Sequence, residues 1–451
     1  MNLIARLQRS IDNVQLVLFR ILFGFLMFAE AVGALVTGWV KETFVDPSMT
    51  FHFFGFGFLQ ALVGGPQMYF VYGALGLASL AVMLGWRYRW SAVAVAILWS
   101  ASYFNQKSHY NNHYYLMVLI SWIMVFLPTN TAASLDIRQC RVPQRNYAPA
   151  WIVWLLPALV AVVYFYAAIA KIYPDWLHAI PVSIWFTAET FETPFWGADF
   201  AARLREVFHH STTHYFFSYA GIFFDLLVIP AFLWKRTRTI ALLASLVFHL
   251  MNSAIFQIGV FPYFALSFVI FFYPRPSIRK LFFPKSEPVL ETALPRLSRY
   301  DLLSKFALVF MVWQFFLPLR HWLIPGDVLW TEEGHRLSWR MMLRTKSTYG
   351  GFTAENKQTG ERVYINTSDF LSRQQERSFK SKPDMVWHFA QVIKRHYQKQ
   401  EGWEEVAVYA DINVSVNGRS YYRFTDPDFD LASVRWKYFG HQEWLIDPPK
   451  D

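Results

Sequence analysis

Nine runs of apolar residues, with arginine and lysine gathered on alternate connections, constrain this chain more than any other feature. The runs fall at roughly 14–37, 68–86, 90–104, 113–127, 151–171, 218–234, 239–256, 260–273 and 303–323. A helix of about twenty residues crosses a bilayer, so the shorter runs are expected to tilt or to be partly re-entrant. Only 16% of the residues are charged, where a soluble chain carries about 25%. The net charge of +10 does not point to nucleic acid, because the bases lie in short loops between apolar runs. They are Arg6 and Arg9; Arg87 and Arg89; Arg138, Arg141 and Arg145; Lys235, Arg236 and Arg238; and Arg275, Arg279, Lys280 and Lys285. All fall on the N-terminal side if nine spans alternate, which satisfies the positive-inside rule.

Beyond residue 324 charges become more frequent. Val406 to Val416 alternates apolar and polar residues before Asn417-Gly418 and Tyr421–Phe424, the pattern of a β-hairpin. Gln358-Thr-Gly360 before Arg362–Ile365 predicts a second hairpin, and 383–399 one amphipathic helix. The expected fold is an α-helical multi-pass membrane protein of about nine spans (1–323) carrying a small extracytoplasmic α+β domain (324–451). The aromatic run Phe51–Phe58 is expected to lie in the membrane interface.

Polar residues in the apolar runs are costly and mark functional cavities. The fifth run ends Tyr164-Phe-Tyr-Ala-Ala-Ile-Ala-Lys171, followed by Pro174-Asp175-Trp176. Read as a helix, it puts Tyr164, Ala167, Ala168 and Lys171 on one face. Lys171 is then either a lysine snorkelling to the membrane surface or a base kept neutral in an apolar pocket. The topology brings to the same leaflet His113, His249 and Asn252 one turn apart, Gln257, and Asp225 in the outer half of the sixth run. His249, Asn252 and Asp225 are also what a simple helix-bridging contact would use. Glu30 and Arg20 in the first run read as structural partners. Cys140 is the only cysteine, which excludes an intrachain disulfide and a cysteine metal cluster.

Six segments, Phe19–Leu26, Asn111-Asn-His-Tyr-Tyr-Leu116, Tyr164–Trp176 with its Lys-x-x-x-Asp-Trp, Phe248–Tyr263, Leu337-Ser-Trp-Arg-Met-Met342 and Phe424-Thr-Asp-Pro427, resemble in the same order those of the vitamin K-dependent γ-carboxylase family. The resemblance implies a horizontally transferred transmembrane (HTTM) domain and a short bacterial type of homologue. It implies that Lys171 deprotonates vitamin K hydroquinone or menaquinol, with His113 assisting. O2 and CO2 are then the further substrates, no metal is required, and a glutamate-containing peptide or protein is the acceptor. It places Asn112, His249, Asn252, Gln257 and Phe261 around the quinol, and Trp339, Met341 and Met342 around the glutamate. Two departures stand out: Thr187 occupies the position of a family arginine, and the segment after Met342 reads Leu343–Tyr349 without histidine. The competing readings are a quinol epoxidase without carboxylation and a non-enzymatic lipid- or quinone-binding protein. A transporter is disfavoured, for want of an inverted repeat or paired broken helices. The expected setting is a bacterial inner membrane, or an ER membrane in a eukaryote, with the N-terminus cytoplasmic.

The charge pattern makes a topological prediction. A reporter fused after Asp451 should be active only on the extracytoplasmic side; cytoplasmic activity would remove one span from the count.

Overall fold

The computed structural model describes residues 3–187, 198–256, 258–286, 289 and 300–448. Each expected span coincides with a helical segment. In chain order these are α1 (Val14–Val36), α2 (Gln67–Leu84), α3 (Tyr88–Asn105), α4 (Asn112–Phe126) and α5 (Ala150–Ala170). Then come α6 (Ser211–Leu233), α7 (Arg238–Phe256), α8 (Phe261–Ser267) and α9 (Asp301–Phe316). Tight 3-10 turns extend α8 to Phe272 and α9 to Leu323. Six of these segments are long and apolar enough to cross a membrane: α1, α2, α5, α6, α7 and the extended α9. Helix α4 and the extended α8 are apolar but shorter, and α3 carries Arg89, Ser91, Ser100 and Ser102.

Polar side chains tie the basic connections together at one end of the bundle. Gln15 donates to the carbonyls of Ile270, Phe271 and Tyr273 at 2.9, 3.1 and 2.8 Å. Arg20 donates to those of Thr129 and Ala133 at 3.0 and 2.7 Å. Asp136 accepts from the backbone N–H groups of Arg87 and Tyr88 at 2.7 and 3.0 Å. A short antiparallel ladder of β1 (Ser10–Asp12) and β2 (Tyr147–Pro149) closes the same end. Arg20 is therefore structural, as expected, but its partners are loop carbonyls rather than Glu30.

At the opposite end lies a second core. Strands β3 (Lys346–Asn356), β4 (Arg362–Ile365), β5 (Val406–Val416) and β6 (Tyr422–Arg423) form an antiparallel sheet of order β4-β3-β5-β6. Helix α10 (Pro383–Gln400) buries Met385, Val386, Phe389, Ala390 and Ile393 against it. The Asn417-Gly418 turn works as expected: both residues take left-handed φ of 53° and 75°, the conformation that a tight hairpin requires.

The aromatic run departs from expectation. Phe51 is fully buried in the sheet domain, stacked on Phe379 with ring centroids 5.9 Å apart. Phe54 packs on Trp387 and Trp436, and Phe53 on Tyr103. Phe58, 70% exposed, keeps the expected outward character. An aromatic stripe satisfies a lipid interface and a domain seam equally well, and here the seam has it.

Buried charge fixes the two halves to each other. Lys107, between α3 and α4, reaches Asp384 at the start of α10 at 2.9 Å, and Arg336 reaches the same carboxylate at 3.0 Å. Burial alone raises the Asp384 carboxyl; Arg336 and Lys107 outweigh it and hold it well below the ordinary carboxylate value. The linkage follows from that sign. The folded state binds this proton less readily than the unfolded chain, so its stabilisation is complete above pH ~4 and is lost as pH falls further. Asp384→Asn, which strands two buried cations, should destabilise the full chain by about 3 kcal/mol at pH ~7. It should also flatten the fall in melting temperature between pH ~5 and ~2.5. Fluorescence-detected unfolding in detergent measures both.

Candidate functional site

Pro174 decides where α5 ends. It drives Tyr173 into an extended conformation (φ −148°, ψ 158°), so the helix stops at Ala170 with Lys171 as its cap. The lysine side chain then runs back along its own helix. Nζ donates to the Ala167 carbonyl at 3.2 Å and to Asp225 Oδ2 of α6 at 2.6 Å. It also stands 5.5 Å from the Trp176 ring centroid. Lys171 is only 7% exposed and Asp225 only 5%. The side chain thus faces the interior rather than the lipid surface, and the pocket expected to be apolar contains a carboxylate.

Helix α6 is shaped to receive it. Ser218, Gly221 and Asp225 repeat at three- and four-residue spacing on one face. A Cβ at Gly221 would touch Lys171 Cε at 3.8 Å and Trp176 at 3.6 Å, so a longer side chain there would fill the lysine's path. Trp176 donates from Nε1 to the Ser218 carbonyl at 3.0 Å and accepts the Ser218 hydroxyl at its own carbonyl at 2.5 Å. Asp175 holds the tip of the β5–β6 hairpin through Asn417 and Arg419, both at 2.7 Å. Each polar position of Lys-x-x-x-Asp-Trp therefore has a separate task.

Two turns deeper, Tyr164 bonds His249 Nε2 of α7 at 2.9 Å. Phe224 and Phe248 stack beside them with centroids 4.0 Å apart. The His249 ring lies 6.4 Å from Phe261, and the His113 ring lies flat on Phe261 at 3.5 Å. Lys171 and His113 are thus not in contact. They flank an aromatic wall made of Tyr164, Phe224, Phe248, His249 and Phe261. Glu30 braces it from α1 by accepting the Tyr114 hydroxyl at 2.8 Å. Asn252 is half-buried one turn beyond His249. Gln257 lies outside the described residues.

Asn112 serves as a tether. It accepts from the Tyr110 hydroxyl at 2.9 Å and donates to the Arg340 carbonyl at 3.0 Å, so its side chain joins α4 to the segment Leu337–Met342. That segment is strained: Leu337, Trp339 and Met342 have φ of 62°, 55° and 48°, where side chains of this bulk are disfavoured. The Tyr110 hydroxyl holds the Leu337 N–H at 2.6 Å, and the Tyr173 hydroxyl holds the Leu343 carbonyl. Trp339 is fully buried on Tyr115, 5.0 Å between centroids, while Met341 is half-buried and Met342 is 41% exposed. Trp339 Nε1 and Arg340 Nε are buried without hydrogen-bond partners among the described residues. One segment thus bridges the His113 and Lys171 sides of the site.

Two family matches cover most of the chain. The HTTM domain matches residues 8–276. The vitamin K-dependent gamma-carboxylase lumenal domain matches residues 299–451. The chain belongs to the vitamin K-dependent γ-carboxylase family. No solved structure matches it. Membership points to a carboxylase-type enzyme, with vitamin K hydroquinone, O2 and CO2 as the small molecules and glutamate as acceptor. It also makes the sheet domain the family's lumenal, extracytoplasmic part. The family's HTTM half supplies Lys171, Asp225, Tyr164, His249, Phe261 and His113; its lumenal half supplies Trp339 and Arg340.

Sequence reading brought Asp225 to the same leaflet as Lys171, as a polar residue that could simply bridge helices, but gave it no role beside the lysine. Its signal was its distance from Ser218 and Gly221, two small residues that open a path to a facing side chain. Arg340 gave none, since an arginine near a membrane surface is unremarked until its Nε is found buried.

The ion pair generates a stability prediction. Asp225→Ala leaves the Lys171 charge buried and unpaired and should cost about 3–5 kcal/mol. The double variant Lys171→Met/Asp225→Leu should recover a melting temperature close to that of the unaltered protein. A double variant no more stable than Asp225→Ala would show that the pair is not the coupling.

Proposed function

We propose that this protein is a membrane-embedded γ-glutamyl carboxylase that couples oxygenation of a vitamin K-type quinol to carboxylation of a peptide glutamate. The single observation that carries the reading is the inward-facing Lys171, paired with Asp225 inside a family in which a lysine at this motif is the expected base. An ordinary lysine, with a pKa of about 10.4, is an ammonium at neutral pH and cannot accept a proton. At 2.6 Å, Asp225 Oδ2 can take the proton from Nζ and leave a neutral amine, while the buried pair stays neutral as a unit.

The residues fit the substrates. The flat, aromatic His113–Phe261 wall suits a quinol ring. Trp339 Nε1 and Arg340 Nε, unpaired and buried, suit a carboxylate, with Met341 and Met342 beside it. The deprotonated quinol, once oxygenated, supplies a base strong enough to remove the glutamate γ-proton, and CO2 adds at that carbon. The protein's own part is to accept the phenolic proton at Lys171 Nζ, to hold the ring against Phe261 and His113, and to seat the acceptor from the lumenal side. His249, fixed by Tyr164, orients the wall, with Asn252 one turn beyond it.

The test is an assay of purified protein with hydroquinone, labelled CO2 and a glutamate peptide, scoring epoxide and carboxylate separately. Lys171→Arg keeps a cation beside Asp225 and should stay folded. Guanidinium does not release its proton, so epoxide formation should fall by about 10²–10⁴-fold. Asp225→Asn should lower it as well. A small amine added to Lys171→Ala should restore part of the activity. Epoxidation by folded Lys171→Arg at the unaltered rate would eliminate the base assignment. Epoxide without carboxylate in every peptide tried would favour the epoxidase reading.

A further inference from the structure

Glu30 has no task in the chemistry proposed above. It stands within the apolar helix α1, where an acidic side chain is costly and usually functional. Its two oxygens serve two different segments. Oε1 accepts the Tyr114 hydroxyl of α4 at 2.8 Å. Oε2 lies over the turn that leads into α8: a Cβ on Gly259 would stand 3.5 Å from it, and the Val260 N–H supports the same carboxylate. Gly259 makes that turn with a φ of +61°, which glycine adopts without steric cost.

Each of these contacts is one residue away from the aromatic wall. Tyr114 follows His113, and Val260 precedes Phe261. The His113 and Phe261 rings lie flat on each other at 3.5 Å. Successive helical residues point about 100° apart, so His113 meets Phe261 while Tyr114 reaches α1. Tyr114 itself has little freedom. Its ring stands edge-on to Trp99 and Trp39 at 5.0 and 6.4 Å, and its N–H is held by the Asn111 side chain at 2.7 Å. One carboxylate thus spans the two segments whose spacing sets the His113–Phe261 stack.

We infer that Glu30 is a positioning residue for the quinol, acting through Tyr114 and Val260 to hold His113 and Phe261 face to face. The inference rests on the reading of that wall as the quinol's seat. Both partners of Glu30 are donors, so the position calls for a group that only accepts. A carboxylate does this with both oxygens. The glutamine amide offers one accepting oxygen and turns a donor toward its other partner. Glutamate is therefore needed here in place of glutamine, although it takes no proton from the substrate.

Two substitutions in the purified full chain test this. Glu30→Gln and Tyr114→Phe each break the clamp, and Tyr114→Phe keeps its ring between Trp99 and Trp39; melting in detergent checks that both are folded. Affinity for vitamin K quinone, titrated by quenching of tryptophan fluorescence, should weaken roughly tenfold in each, and the hydroquinone KM should rise to match. The glutamate-peptide KM should change by less than about twofold, because sites that share no contact respond independently. The double variant should lose little more than either single one, since both act on one contact. Unchanged quinone affinity in folded Tyr114→Phe would overturn the inference. Equal losses in the hydroquinone and peptide KM would overturn it too, since they report a general loosening. An unaltered protein that forms no epoxide would remove the proposed function instead, and the quinone titration would still decide whether Glu30 shapes a quinone pocket.

Discussion

Two opposite charges closed off from water set the geometry of the membrane half. Removing an ammonium and a carboxylate from water costs several kcal/mol per ion, and only close, well-hydrogen-bonded contact offsets it. The 2.6 Å approach of Lys171 to Asp225 therefore fixes α5 against α6 in rotation and in register. Pro174 sets the point at which the lysine turns back, and Gly221 leaves the corridor through which it passes. Once that register is set, Tyr164 faces His249 two turns below, and the aromatic wall toward His113 follows.

The site is also a joint between two domains. Asp175, four residues after the lysine, holds the β5–β6 hairpin, and Asn112, one residue before His113, holds the Arg340 carbonyl. The two sequence motifs proposed to bear the chemistry are thus the two that grip the lumenal half. Lys107, Arg336 and Asp384 add a buried charge network across the same seam. The Lys171 motif, the Asn112–His113 motif and the lumenal half are thus linked by direct contacts.

Much of this was legible in the sequence. Apolar length and alternating basic loops located the nine helical segments, because both follow from the local composition of each run. The hairpin at Asn417-Gly418 and the helix from Pro383 were legible for the same reason: turn chemistry and periodicity are local. What was not legible depends on how distant segments meet. Asp225 could have bridged any helix, and only the register of α5 against α6 gives it Lys171. Asn112 carries the donor and acceptor of a ligand-binding amide, but both are used on Tyr110 and Arg340. Phe51 belongs to an aromatic run that hydropathy cannot distinguish from an interfacial anchor, and it fills the core of a domain three hundred residues further along the chain.

The left-handed backbone at Leu337, Trp339 and Met342 bears on how the lumenal half can be studied. Each such residue costs about 1–2 kcal/mol, and nothing within the segment repays it. The compensation comes from outside, through Tyr110, Asn112, Tyr115 and Tyr173, all of which belong to the membrane half. The membrane half thus acts as a mould for this segment. In a lumenal fragment released from it, these contacts would be missing, and Leu337–Met342 would spring back to ordinary backbone angles. Acceptor affinities measured on such a fragment would describe a differently shaped surface.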